Sequence, residues 1–209
     1  MFPEVICDDV FHLETKRVWL RWPRHKDAQI ITQLAGDEAI SEMTAKIPNS
    51  FSKDAAEVFI FETRRANANG LSLTLVACPR EKPDQVIGLV SIFKDNVGEM
   101  PQIGFWLDKK LWGQGYMTEI INAMLHLFFN MTDCDELCAS VRLLNPASQR
   151  VLEKCHFEFE GNGVYEAAVN GQILDVKHYH LTREKWLSTK SIGFFFQTNV
   201  RKATPVILQ

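Results

Sequence analysis

The hydrophobic period of the chain changes at Trp112-Gly113-Gln114-Gly115-Tyr116-Met117, and no other stretch restricts its fold as strongly. Before it, Gln102 to Leu107 reads as a strand. After it, apolar residues fall at 117, 120, 121, 124, 125 and 128, a stripe that predicts a long amphipathic helix. A strand that feeds such a helix through a two-glycine loop calls for helices packed on a sheet. Glycines let backbone N–H groups turn toward a bound group with no Cβ in the way. The helix N-terminus adds partial positive charge. Together they suit a pyrophosphate, although two glycines also simply ease a strand-to-helix turn. The stretch is not a P-loop, because no Gly-Lys-Ser/Thr follows. Nor is it the dinucleotide fingerprint: Thr118 stands where the third glycine belongs, and the next strand ends in Arg142 rather than an acid.

The rest of the chain alternates in character. Val18 to Leu20 reads as a short strand and Asp27 to Ala35 as a helix with Ile30, Ile31 and Leu34 on one side; a second short helical stretch runs to Met43. Ser52 sits where an N-cap belongs, and the helix it opens runs to about Arg65, with Val58, Phe59 and Phe61 to pack. Ser72 to Ala77 and Val86 to Phe93 are strand-like, joined by a polar loop, and Asp95 to Gly98 is a turn. Leu137 to Val141 is a strand. Asn145-Pro146 opens a short helix, Asn as N-cap and Pro at N1. Val164 to Val169 and Val176 to Leu181 flank Asn170-Gly171, a hairpin signal. The resulting order, β-α-α-β-β-β-α-β-α-β-β, implies a mixed sheet with helices on it.

Composition narrows the class. The chain has 209 residues, the size of one domain. We expect that domain over 1–187 and a tail, docked or flexible, over 188–209. A net charge of -3 speaks against general nucleic-acid binding. No run of 18 apolar residues exists to span a membrane, and Glu4, Asp8 and Asp9 are wrong for a signal peptide. The cysteines, Cys7, Cys78, Cys134, Cys138 and Cys155, are odd in number and complete no zinc pattern, so reduced thiols in a cytoplasmic compartment are expected and no metal. His178 and His180 face one side of a strand; satisfied strand histidines are favoured over a metal pair.

The run Ile103 to Ile121 resembles the acetyl-CoA-binding motif of the GCN5-related N-acetyltransferases (GNAT). It is most similar to the branch that acetylates N-termini of ribosomal proteins (RimJ/RimL-like), where a Trp-Gly-x-Gly-Tyr string is common. Asn145-Pro146-Ala147-Ser148 and the run Val151 to Gly161 resemble that branch's Asn-x-x-Ser helix and Gly-Phe…Glu-Gly strand. Asn170-Gly171, Asp175-Val176, Tyr179, Leu181 and Glu184-Lys185-Trp186 resemble its ending, so the likeness covers about Thr15 to Trp186.

The resemblance implies an α/β (α+β) fold: a mixed, mostly antiparallel sheet of about six to seven strands, splayed at its centre, with helices on both faces. Gln102–Leu107 parts from Leu137–Val141, and the pantetheine arm enters the gap like an added strand. Gly104 marks a bulge near that split. Backbone groups of Phe105, Trp106 and Leu107 face the arm and the acetyl carbonyl. Trp112 is among the coenzyme-binding residues, the backbone N–H groups of Gly113, Gln114, Gly115, Tyr116 and Met117 hold the pyrophosphate, Asn145 bonds the pantetheine amide, and Ser148 protonates the departing thiolate. His156 stands in the place of a glycine, which His tolerates because it enters the left-handed region. The branch often has an acid where Gln102 stands and another where Ala167 stands, so the general base shifts to Glu166, with Glu99 or water as alternatives.

The expected activity is transfer of acetyl from acetyl-CoA to a primary amine, by direct attack in a ternary complex. The acceptor partner is a protein N-terminus or a small-molecule amine, and the enzyme a monomer or homodimer. A coenzyme-binding sensor lacking the base, or a drug or polyamine acetyltransferase, are the other readings.

Overall fold

The computed structural model describes residues 1–44, 51–94, 100–166 and 171–190. The chain enters through β1 (His12–Glu14) and β2 (Val18–Arg21), then α1 (Ala28–Ala35), α2 (Glu38–Ser41) and α3 (Lys53–Ala68). A meander follows: β3 (Leu73–Pro79), β4 (Gly88–Lys94) and β5 (Pro101–Leu107). Then come α4 (Tyr116–Met131), β6 (Glu136–Arg142), α5 (Pro146–Lys154), β7 (Glu158–Glu166), β8 (Ile173–Thr182) and α6 (Arg183–Lys190). All eight strands form one sheet, ordered β1-β2-β3-β4-β5-β6-β8-β7, antiparallel except at β5·β6.

That exception makes the site. β4 and β5 pair along their whole length, from Gly88–Leu107 to Lys94–Pro101. β5 and β6 meet only where Gln102 faces Cys138, and from there the strands part. The backbone edge of residues 103–107 toward β6 is left without a strand partner, and backbone groups so placed need a partner from elsewhere.

Strand alternation sends side chains to two cores. Ile103 and Leu107 join the larger one under α4, with Leu73, Leu75, Val90 and Ile92. Trp106 joins the smaller one under α1 and α3, with Val76, Cys78 and Leu89. Helices therefore cover both faces. The helical stripe of α4 is as expected: Met117, Ile120, Ile121, Met124, Leu125 and Phe128 are all buried.

Several expectations are corrected. The sheet has eight strands rather than six or seven, because His12–Glu14 adds an edge strand too short to show periodicity. α3 is capped by Ser52, whose Oγ accepts from Ala55 N at 3.1 Å, and of the three residues expected to pack, Phe59 does so while Val58 and Phe61 do not. Ala56, Ile60, Thr63 and Asn67 are buried, while Val58 and Phe61 are 63% and 65% exposed. Asn67 can face inward because it bonds the backbone of Thr74 through both its amide atoms, at 2.9 Å each. Gly104 forms no bulge; its register with Ser91 is regular and a Cβ there would make ordinary contact. β7 starts at Glu158, six residues before Val164, and its bulge lies between Phe159 and Gly161. As an edge strand it is charged and exposed, which hides its apolar pattern. α6 runs through the expected boundary at 187 to Lys190. The Asp95 to Gly98 turn, Glu99, Asn170 and residues 191–209 lie outside the described residues.

Candidate functional site

The glycine loop adopts the backbone that only glycine takes without strain. Gly113 has φ +73° and Gly115 φ +78°, both left-handed. A Cβ at Gly113 would meet nothing within 4 Å, so the conformation rather than crowding selects glycine there. Gly115 is the N-cap of α4, and Glu119 is the first residue of the loop-to-helix step to donate back, to Gly115 O at 3.1 Å. The first N–H groups of a helix have no intrahelical partner, and the helix dipole stands behind them. A concave run of N–H groups in left-handed turns is an anion nest. The geometry fits a pyrophosphate.

Arg17 fixes this loop, and nothing in the sequence pattern singled it out. Its Nη1 donates to Gln114 O at 3.0 Å and its guanidinium carbon lies 4.0 Å from the Tyr116 ring centroid. Its Nε donates to Glu119 Oε2 at 2.7 Å, and its backbone N–H to Oε1 at 2.8 Å. Thr15 Oγ1 completes the set with a 2.6 Å bond to Oε1. Burial pushes the Glu119 carboxyl up, but these donors and the guanidinium charge outweigh it and hold it below the usual carboxylate range.

Two cavities flank the splay. The smaller, about 180 Å³, runs between the end of β5, the glycine loop and the start of α5. Phe105, Trp106, Leu107, Trp112, Gly113 and Gly115 line it, as do Tyr116, Met117, Asn145 and Ser148. Gln114 does not; its side chain turns back to Lys110 O at 2.9 Å. The Trp112 indole donates to Leu107 O at 2.7 Å and pins the loop to the strand end. The larger cavity, about 770 Å³, lies on the α1/α3 face. Met43, Thr44, Phe105, Trp106, Asn145 and Ser148 line both, so the cavities meet through the gap in the sheet.

Asn145 caps α5: its Oδ1 accepts from Ser148 N at 3.0 Å, which leaves its amide nitrogen for a ligand. Ser148 thus sits at N3 with its hydroxyl on the shared wall. His156 has φ +68°, the left-handed conformation expected of it.

Glu166 is not brought here. It is exposed at the end of β7 and lines neither cavity; its neighbour Tyr165 lines the larger one. Adjacent residues of a strand point to opposite faces, so Tyr165 inward puts Glu166 outward. The one carboxylate among the described residues lining either cavity is Glu62, which pairs with Arg65. His178 and His180 do share a face. His178 Nδ1 lies 3.0 Å from Ser140 Oγ, and His180 Nε2 lies 4.0 Å from Glu158 Oε2. No cluster of metal-ligating side chains occurs among the described residues.

A splayed mixed sheet, with a glycine loop and a helix start at its gap, defines an α/β class suited to a pyrophosphate-bearing coenzyme. The acetyltransferase (GNAT) domain model matches residues 17–158, and the chain belongs to that family, an acetyl-CoA-dependent acyltransferase. It is 24% identical over 181 residues to YdaF of Bacillus subtilis (strain 168), named provisionally as a ribosomal N-acetyltransferase, covering 84% of this chain and 96% of that one. Among solved structures it is similar to RimL, a ribosomal L7/L12 α-N-protein acetyltransferase in complex with coenzyme A. That match has TM-score 0.69 and 20% identity, covering 82% of this chain and 98% of the other. It is also similar to a spermidine N-acetyltransferase from Vibrio cholerae in complex with CoA and spermine. There the TM-score is 0.67 and the identity 22%, over 83% of this chain and 99% of the other.

Proposed function

We propose that this enzyme acetylates a primary amine by direct attack in a ternary complex, and that the amine is a protein N-terminus or a small molecule with an apolar body. One observation carries the reading: two cavities, one at the glycine loop and the start of α5 and the other beside α1 and α3, share Phe105, Trp106, Asn145 and Ser148. Acetyl-CoA enters from the α4/α5 face, its pyrophosphate on the N–H groups of Gly113 to Met117 and its pantetheine along the open edge of β5. The acceptor enters from the α1/α3 face. The neutral amine attacks the thioester carbon, a backbone N–H of the open β5 edge polarises the developing oxyanion, and Ser148 donates to the leaving sulfur. The five thiols are unpaired, which suits a reducing, cytoplasmic setting.

The acceptor cavity argues against a polyamine. Phe51, Phe59, Leu71, Phe93, Tyr165 and Val176 give it an apolar wall, while Lys94 and Arg142 are cationic and Glu62 is already paired. A polycation would find no free carboxylate among the described lining residues and two like charges. Coenzyme A release measured with an acceptor panel tests this. Turnover is expected with short peptides bearing an apolar second residue and with aromatic ethylamines, and little with spermidine. Preference for spermidine would overturn the acceptor class; tight acetyl-CoA binding without release from any amine would point to a sensor.

A further inference from the structure

We propose that Ser140 and His178 carry the amine proton away from the acceptor site; the proposal rests on the acetyl-transfer reading above. Ser140, on β6, lines the larger cavity with Asn145 and Ser148. Its Oγ lies 3.0 Å from Nδ1 of His178, its register partner on β8. The imidazole then extends over β7, where a Cβ at Gly163 would stand 2.3 Å from Nε2. Gly163 is not in the positive-φ region, so its backbone does not require glycine. The ring does: glycine inside a strand marks a close approach, and here it leaves the space that holds the imidazole against Ser140.

The step balances. The amine nitrogen bonds to the acetyl carbon, and the C–S bond breaks with its electron pair on sulfur. The proton lost by nitrogen goes to Ser140 Oγ as the Ser140 hydroxyl proton passes to Nδ1. The imidazolium returns it to water. Ser148 protonates the sulfur and recovers a proton from water. Nδ1 must be the acceptor, so the resting ring carries its hydrogen on Nε2. Among the described residues, the ionisable groups on this face include Glu136, Cys138 and Arg142 of β6, His180 of β8, and Glu158, Glu160 and Tyr165 of β7, with Lys185 paired to Glu158. Ser140 is the group that touches substrate; His178 acts through it.

Three variants and one spectrum test the relay. His178→Gln is expected to lower kcat about 10–100-fold and to remove the acid limb of the pH–rate profile, with acetyl-CoA affinity by calorimetry within about twofold. Ser140→Ala should match it. Gly163→Ala deletes no functional group but pushes the ring off Ser140, so it should reproduce the loss of kcat. Ring nitrogen NMR of the free enzyme should show the Nε2–H form, and Ser140→Ala should change the Nδ1 resonance. Unaltered kcat and pH profile in folded His178→Gln, or an Nδ1–H ring bonded to Ser140, would overturn the relay. A parent enzyme that binds no acetyl-CoA would instead overturn the acetyltransferase reading, while the NMR result still decides the Ser140–His178 bond.

Discussion

Arg17 and Glu119 are 102 residues apart in sequence, yet Nε and Oε2 lie 2.7 Å from each other beside the glycine loop. The carboxylate also takes Thr15 Oγ1 and the Arg17 N–H, so one half-buried acid ties the approach to β2 to the first turn of α4. Its ionisation is held below the usual range, which fixes the sign of the linkage. A carboxylate with a lowered folded pKa contributes stability above its unfolded value, about 4.3, and loses it as pH falls through the folded value. Glu119→Gln should therefore cost about 1.5–3 kcal/mol at pH 7 and a smaller amount near pH 3. Urea unfolding at both pH values checks it; an equal cost at both would show that charge is not what Glu119 contributes.

The same pair predicts a binding effect. Arg17→Met keeps an unbranched apolar side chain but removes the bond to Gln114 O, the guanidinium over Tyr116 and the pair with Glu119, so the loop loses its fixed shape. Acetyl-CoA affinity should fall about tenfold, or ~1.4 kcal/mol. Calorimetry showing the parent affinity would reduce Arg17 to a purely structural ion pair.

At Gly115 two substitutions separate strain from charge. The residue sits at φ +78°, where an alanine adds about 1 kcal/mol of strain. Aspartate adds a negative charge against the pyrophosphate as well. Gly115→Ala should weaken acetyl-CoA binding several-fold and Gly115→Asp at least ~100-fold, about 2.7 kcal/mol. Near-parent binding by a folded Gly115→Asp enzyme would remove the pyrophosphate from this loop.

What the sequence disclosed follows from how local each signal is. The α4 stripe, the Ser52 and Asn145 caps and the two loop glycines are each set within a few residues, and each was legible. Arg17 and Ser140 were not. Each matters through a partner brought close only by the tertiary fold, Glu119 on α4 in one case and His178 on β8 in the other. The stripe of α3 was misread for a related reason. Val58 and Phe61 are more hydrophobic than Thr63 and Asn67, but Asn67 finds the backbone of Thr74, which no helical periodicity encodes. Glu166 failed on parity: one residue along a strand exchanges cavity for solvent.

The buried pair Arg21–Asp27 offers a test of scaffold against site. Arg21 Nη1 and Nη2 reach Asp27 Oδ2 and Oδ1 at 2.7 and 2.9 Å, and both residues are buried. Removing one partner strands the other's charge, at a cost of about 3–5 kcal/mol. Asp27→Asn should lower the unfolding free energy by that amount and leave KM for acetyl-CoA unchanged below the new melting temperature, since neither residue lines a cavity. A raised KM at full folding would show that α1 communicates with the cleft.

Ser148 is where binding and chemistry can be told apart. Coenzyme A leaves as a thiolate, and a free thiol has a pKa near 8.5. Near pH 7 the sulfur needs a proton or a strong hydrogen bond. The Ser148 N–H is already spent on Asn145 Oδ1, so the hydroxyl is the group left to serve it. That hydroxyl lies on the wall shared by both cavities, at the positive end of α5. Ser148→Ala keeps the Asn145 cap, because the cap uses backbone, and stability should hold. Loss of the proton donor should depress the chemical step more than binding. We expect kcat to fall about 10–100-fold with KM for acetyl-CoA within about threefold. The loss should shrink with an acetyl donor whose thiol is more acidic, because that leaving group needs less help. An equal loss with both donors would show that Ser148 is not the acid, and a raised KM alone would make it a binding residue.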